Sequence, residues 1–259
     1  MSLGRIFVMA TNVFREVIRD RILYIIGFYA LLMVVVMQLL PQIAASTEDK
    51  IFLDFGLAAM NVLGLIVAVF VGTGLVSKEI EKRTVLSLIA KPISRAEFIV
   101  AKHLGLSSVL ALLVAVMTVI YLALLQFQGI TYSFISILLA SVFLFLQLSL
   151  ITAFALALGV FTSSVLATLL TFGVYLMGNF SQDLVNIGRI SKNPGFERVT
   201  QTLYLILPDL SRLDLKNLAV YGTQLLPSPL TLLANAGYGV VYIVLVLAIA
   251  ILVFARREF

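Results

Sequence analysis

The sequence predicts an all-α membrane protein: six transmembrane helices, an N-terminal interfacial amphipathic helix, and a charged protrusion between the second and third spans. Three observations predict it. The 259 residues are 61% hydrophobic and only 12% charged, with a mean hydropathy of +1.12, whereas a soluble domain carries about 25% charged residues. Six apolar runs, at about 22–40, 57–76, 104–125, 135–161, 165–180 and 232–254, contain no Asp, Glu, Lys or Arg. The charges gather between the runs, and residues 77–103 hold six of the 18 Lys and Arg. Such a stretch stays out of hydrocarbon, because a central Lys or Arg costs about 2.5–3.5 kcal/mol on insertion scales.

Residues 3–20 read as an amphipathic helix. Ile6, Met9, Ala10, Val13, Phe14 and Val17 share one arc at helical spacing. Arg5, Asn12, Arg15, Glu16 and Arg19 share the other. A basic amphipathic helix ahead of a span is expected to lie along the cytoplasmic interface, in contact with lipid. This charged segment is not the short basic region of a cleavable signal peptide. The 19 uncharged residues of 22–40 are long enough to remain as a transmembrane helix, ending at Pro41.

The second run carries Asn61, Gly64, Gly72 and Gly74. The fourth, starting near Phe134, is long for one crossing and is expected to tilt. Thr162-Ser163-Ser164 breaks the chain into a tight hairpin, and the fifth run is short. Arg256 and Arg257 follow the last run. Orientation follows from Lys and Arg. The N-terminal segment has four, residues 77–103 six and the C-terminal tail two, against Lys50 and five in 181–231. Both termini are therefore expected inside. The 41–56 loop is net acidic and the 126–133 loop uncharged, as outside loops can be.

Residues 181–231 form the one sizeable segment between spans, predicted outside. Asn193-Pro194 reads as an N-cap followed by Pro at the first helical position. Phe196, Val199, Leu203 and Ile206 then recur at helical spacing until Pro208. A partly apolar run resumes over 210–221, and Pro227 and Pro229 end it. Short amphipathic helices resting on the outer surface or capping the bundle are expected. The whole chain, 1–259, reads as a single transmembrane domain.

Several function classes are excluded by what the chain lacks. The net charge of +5 and pI near 9.5 come from residues that flank spans, so they mark topology and not nucleic acid. There is no Cys, hence no disulfide, thiolate metal site or Cys nucleophile. His103 is the single histidine, which leaves no His-based metal site. Gly72-Thr-Gly-Leu-Val-Ser-Lys78 lacks the spacing of a phosphate-binding loop, and neither His-Glu-x-x-His nor Gly-x-Ser-x-Gly occurs. No catalytic residue and no cofactor are expected in this chain. Asn61, Gln147 and Asn179 lie in or near the apolar runs. Such groups mark either a transport pathway or a helix-packing contact. The absence of carboxylates within the spans disfavours ion-coupled transport.

The 77–103 segment has an internal order. Glu79 to Ala90 can form a short helix, with a Glu79–Arg83 pair one turn apart. Lys91-Pro92 stops it. Ser94-Arg-Ala-Glu97 is a capping box that restarts a helix leading into the third run. The segment also reads as a plain topology-setting loop.

Here the sequence resembles the ABC-2 type permeases, the membrane subunits of ABC transporters. The similar residues are Lys78-Glu-Ile-Glu-Lys-Arg-Thr-Val-Leu-Ser-Leu-Ile-Ala-Lys-Pro-Ile-Ser-Arg-Ala-Glu-Phe-Ile-Val-Ala-Lys102, and Leu158-Gly-Val-Phe-Thr-Ser-Ser164 at the fourth-to-fifth span break. Leu207-Pro-Asp-Leu-Ser-Arg-Leu-Asp-Leu-Lys-Asn217 is similar to the branch related to copper-enzyme-maturation permeases. The resemblance implies that residues 79–92 are a cytoplasmic coupling helix seated in a groove of a separate ATPase subunit. Glu79, Glu81, Lys82, Arg83 and Lys91 would supply polar contacts, Leu86 and Leu88 apolar anchors, and Thr84, Pro92 and Arg95 the rest of the motif. ATP and Mg would belong to the ATPase. It further implies pairing with a second permease copy, identical or related, in a bacterial or archaeal cytoplasmic membrane, and cargo movement in the export direction. A subunit of the same build can instead pass ATP-driven movement to an extracytoplasmic partner without moving cargo, and an ATP-independent channel or carrier is a third reading.

Overall fold

Hydrocarbon offers a backbone no water to bond, so an apolar run must satisfy its peptide groups within itself, and a helix does so. The computed structural model describes residues 2–43, 47–81, 94–191 and 193–256, and their regular structure is entirely helical. Helix α1 is Leu3–Val17, followed by a π-type turn at Ile18–Ile22. The long helices are α2 (Leu23–Ile43), α3 (Glu48–Glu81), α4 (Arg95–Gln128) and α5 (Phe134–Phe161). Then come α6 (Ser164–Asn179), α7 (Ser181–Ile190) and α8 (Pro194–Ile206). The short α9 (Lys216–Ala219) sits between two single-turn 3₁₀ segments, Leu210–Leu213 and Thr223–Leu225. Helix α10 (Pro229–Arg256) closes the fold.

The helices outrun the apolar runs that announce them. Helices α3 and α4 have 34 residues each, or about 51 Å at 1.5 Å per residue, against a hydrocarbon core of about 30 Å. At the start of α3, Glu48 and Asp49 occupy the first turn, where carboxylates favour the helix dipole. Helix α4 opens on the Ser94 capping box and ends on Gly129, whose left-handed φ of 69° closes the last turn. Pro41 does not stop α2, which continues to Ile43.

Among the described residues, five helices are long and apolar enough to cross a membrane, and α6 with α7 makes a sixth if that pair, bent by 69°, is taken as one span. Helix α6 runs antiparallel to α3, because Thr73 bonds Thr168 while Asn61 bonds Tyr175. One end of the bundle gathers the start of α1 and the end of α10 with the start of α4: Ser2 meets Glu97, and Arg95 meets Phe254. The far end gathers the start of α3 and the 207–225 segment, where Lys50 lies over the Tyr221 ring at 5.5 Å.

Helix α5 is the hub. Leu148, Leu150, Ile151, Ala153, Ala155 and Leu156 are fully buried, and α3, α4, α6 and α10 all pack on it. Lipid tails are as apolar as leucine, so helix association in a membrane depends on close fit and polar contacts. The close fit is between α3 and α5. A Cβ at Gly72 would lie 2.8 Å from the Ala155 Cβ, and one at Gly159 would lie 3.1 Å from the Thr73 carbonyl oxygen. Helix α2 is peripheral, with Phe28, Leu31 and Val34 exposed on its outer face.

Gly72→Leu therefore forces α3 off α5 and is expected to cost about 1–3 kcal/mol as overpacking, read as a lower melting temperature of the detergent-purified protein. Gly173→Leu, where nothing lies within 4 Å, is the control and should leave the melting temperature unchanged.

Candidate functional site

At the terminal end, the Ser94–Glu97 box does more than begin a helix. The Ser94 Oγ accepts from the Glu97 amide at 3.1 Å, and Glu97 Oε2 accepts from the Ser94 amide at 3.0 Å. The other carboxylate oxygen, Oε1, accepts from the Ser2 amide at 2.6 Å, and Arg5 Nη1 stands 3.9 Å from Oε2. Glu97 is only 3% exposed. One carboxylate thus serves the first turns of both α4 and α1, where backbone N–H groups lack helical partners. Further along, α1 lies directly on α4: a Cβ at Gly105 would come 2.8 Å from the Ala10 carbonyl oxygen and 2.7 Å from the Val13 Cβ.

Arg95 faces another way. Its Nη1 donates to the Phe254 and Ala255 carbonyls, each at 2.6 Å, and its guanidinium lies 5.8 Å from the Phe254 ring centre. Those carbonyls belong to the last turn of α10, where oxygens lack helical partners and a cation suits the dipole. Phe98 stacks on Phe254 at 5.6 Å. The first turn of α4 therefore joins three elements, the start of α1, its own start and the end of α10.

Of the residues that the resemblance places against an ATPase, Arg95 lies in this junction. Glu79 and Glu81 fall in the last turn of α3. Lys82, Arg83, Thr84, Leu86, Leu88, Lys91 and Pro92 lie outside the described residues. His103, which the sequence leaves at a span end, is buried at 5% exposure, its Nε2 3.1 Å from the Ser149 carbonyl oxygen.

Toward the far end, the three amides noted in the sequence lie around α6. Gln147 Nε2 donates to Asn179 Oδ1 at 3.1 Å, Asn179 Nδ2 donates to the Tyr175 carbonyl at 2.8 Å, and the Tyr175 hydroxyl donates to Asn61 Oδ1 at 3.1 Å. Tyr175 carries no sequence signal beyond being a polar aromatic in an apolar run.

Above them, residues 207–219 are tied into the bundle mouth. Asp209, 3% exposed, accepts from Ser181 Oγ at 3.0 Å and Arg212 Nε at 3.2 Å, while its amide donates to the Tyr238 hydroxyl at 2.8 Å. Tyr204 first, then Asp209, holds the Arg212 guanidinium above its ordinary pKa. Asp214 pairs with Lys216. A Cβ at Gly178 would meet the Pro208 carbonyl oxygen at 2.8 Å, so α6 and this segment touch backbone to backbone.

A family model described as ABC-2 family transporter protein matches residues 8–259, from the second turn of α1 to the last residue. The chain belongs to this family. No curated protein matches the chain. It is a multi-pass membrane protein and the permease subunit of an ABC transporter. In this permease the match takes in Arg95, Glu97 and Phe254 of the junction and the far-end amides, while Ser2 and Arg5 precede it.

Removing the shared carboxylate tests the junction. Glu97→Ala should release the start of α1 while α4 stays folded. The permease has no Cys, so spin labels at Val8 and Ser108 report only the α1–α4 distance, whose distribution should broaden. Ser94→Ala removes the α4 cap alone, at a cost of about 1 kcal/mol, and should leave the label distance narrow.

Proposed function

We propose that this permease is one half of an ATP-driven exporter, with segment 79–92 docked on a separate ATPase subunit that holds ATP and Mg. The observation that carries the reading is the junction directly after that segment. Residues 82–93 are flanked by Glu81, the end of α3, and by Ser94, the cap of α4. Glu97 ties that cap to α1, and Arg95 ties it to α10. A push on the segment would reach four helices at once, as a rigid-body switch between packed states requires.

In this reading Glu79, Glu81, Lys82, Arg83 and Lys91 make the polar contacts with the ATPase. Leu86 and Leu88 anchor in its groove, Thr84 and Pro92 shape the turn, and Arg95 passes the movement to α10. The membrane is a bacterial or archaeal cytoplasmic membrane, both termini are cytoplasmic, and α6 is the fifth of six spans. Helix α1 rests at the inner interface. A second permease copy, identical or related, completes the path. A path of few charges suits an amphipathic or lipid-linked cargo better than a small ion.

A second reading has its own observation. Phe196, Val199 and Ile206 share one face of α8 and are 43%, 55% and 67% exposed, which suits contact with an extracytoplasmic partner. In that case ATP-driven movement would reach the partner with no cargo moved. Arg212 and Asp214, the charged residues of the same segment, are engaged internally with Asp209 and Lys216.

The deciding experiment is copurification. A soluble ATPase should accompany the wild-type permease and be lost from the Glu81→Lys/Arg83→Glu double reversal, with membrane insertion unchanged. Cargo movement by the permease alone in liposomes, with no nucleotide hydrolase present, overturns the reading. Retained cargo movement after substitution of the α8 face excludes the second reading.

A further inference from the structure

The amide chain around α6 has a direction, and its two ends are unfinished. Asn179 sets the direction. Its Nδ2 faces the Tyr175 carbonyl, which can only accept, so its Oδ1 must be the acceptor on the other side. Gln147 must then approach Asn179 with its NH₂, which leaves Gln147 Oε1 as an acceptor with no partner among the described residues. At the other end, Asn61 Oδ1 takes the Tyr175 hydroxyl, and Asn61 Nδ2 is a donor with no partner among the described residues. Asn61 is 3% exposed and Gln147 is 1% exposed. A buried amide group left without a hydrogen bond is destabilising, and both unfinished groups belong to buried side chains.

Both residues line one chamber, between α3 and α5 and roofed by residues 213–216. Leu57, Ala140 and Leu144 supply its apolar walls. Asp214 and Lys216 in the roof are paired with each other, so they present no net charge to an occupant. The space admits a single water-sized group. With its two charges paired, the lining favours a neutral occupant over an ion. A chamber lined by one residue with an unmatched donor and another with an unmatched acceptor suits a group that accepts from the first and donates to the second.

We propose that this chamber is a binding site for one neutral hydroxyl group. The hydroxyl accepts from Asn61 Nδ2, donates to Gln147 Oε1, and so closes the chain Gln147–Asn179–Tyr175–Asn61 into a ring across α3, α5 and α6. Two sources have that chemistry, a water molecule and the head of a hydroxyl-bearing amphiphile whose stem extends out of the chamber. The proposal rests on bundle geometry alone and stands or falls separately from ATPase docking.

The test uses full-length permease in phosphatidylcholine nanodiscs with two photoreactive probes, a diazirine-bearing octanol and the matching octane without the hydroxyl. Adducts are mapped by mass spectrometry. The alcohol should label Leu57, Ala140 or Leu144, the alkane should not, and Asn61→Leu or Gln147→Leu should abolish labelling. Comparison of the two probes on wild-type protein keeps the test informative if either variant misfolds. In a second arm, a high-resolution map of the wild-type particle is inspected between Asn61 and Gln147. Alcohol-selective labelling identifies an amphiphile head as the source. No labelling with one ordered density bridging the two amides identifies water and also supports the site. Equal labelling by alcohol and alkane, or an empty chamber without selective labelling, overturns the proposal.

Discussion

A polar group inside hydrocarbon or inside an apolar bundle has only the protein to bond with. That constraint organises this molecule. It forces the apolar runs into helices and drives the charges to the ends. It also turns small hydroxyls back on their own helices: Thr118, Ser141, Thr152 and Thr171 each donate to the carbonyl one turn earlier, within 2.7–2.9 Å. The few side chains that cannot bond locally become ties between helices. Tyr121 donates to the Leu53 carbonyl at 2.8 Å, joining α4 to α3. The Thr118 and Ser141 hydroxyls, though bonded to their own helices, also meet at 2.9 Å between α4 and α5. Close packing at Gly72 and Gly159 holds what these few bonds leave unfixed.

The two ends answer the constraint differently. At the terminal end, open backbone groups of three elements converge, and the charged pair flanking Ala96 satisfies them from both sides. Glu97 takes N–H groups at helix starts and Arg95 takes C=O groups at a helix end. Each charge lies where the helix dipole favours it. At the far end, Asp209 gathers donors from α7, from the 3₁₀ turn and from Arg212, while Tyr238 of α10 receives its amide. The middle of the bundle is apolar and tightly fitted, which suits helices that shift as rigid bodies.

Much of this plan was legible in the sequence. The apolar runs announced the helices because a long uncharged stretch has no other stable fate in lipid. Asn193 was legible as a cap, and its Oδ1 accepts from the Gly195 and Phe196 amides. The Ser94–Glu97 box was legible because its spacing is local. What Glu97 does for Ser2 was not, since the two are 95 residues apart and no local pattern encodes that distance. The lengths of α3 and α4 were hidden because charged residues end an apolar run without ending a helix. Asn61, Gln147 and Asn179 were visible as polar exceptions. Their order along one hydrogen-bond chain depends on Tyr175 and on how α6 lies beside α3, which is tertiary information.

Helix α3 brings the two ends into one mechanical question. Asn61 and Glu81 lie on the same helix, about 30 Å apart at 1.5 Å per residue. Between them, Gly64 and Gly72 lie close against Leu148 and Ala155 of α5, and α3 runs on as one unbroken helix. A displacement imposed at Glu81 would then arrive at Asn61 nearly whole. There it would meet the Tyr175–Asn61 bond, among the described residues the one direct side-chain bond between the far halves of α3 and α6. Losing that bond would expose a buried amide oxygen and a phenol together, so the far end resists small movements and yields to large ones. Under the proposed docking on an ATPase, such a threshold would convert a graded push into two discrete arrangements of packed helices.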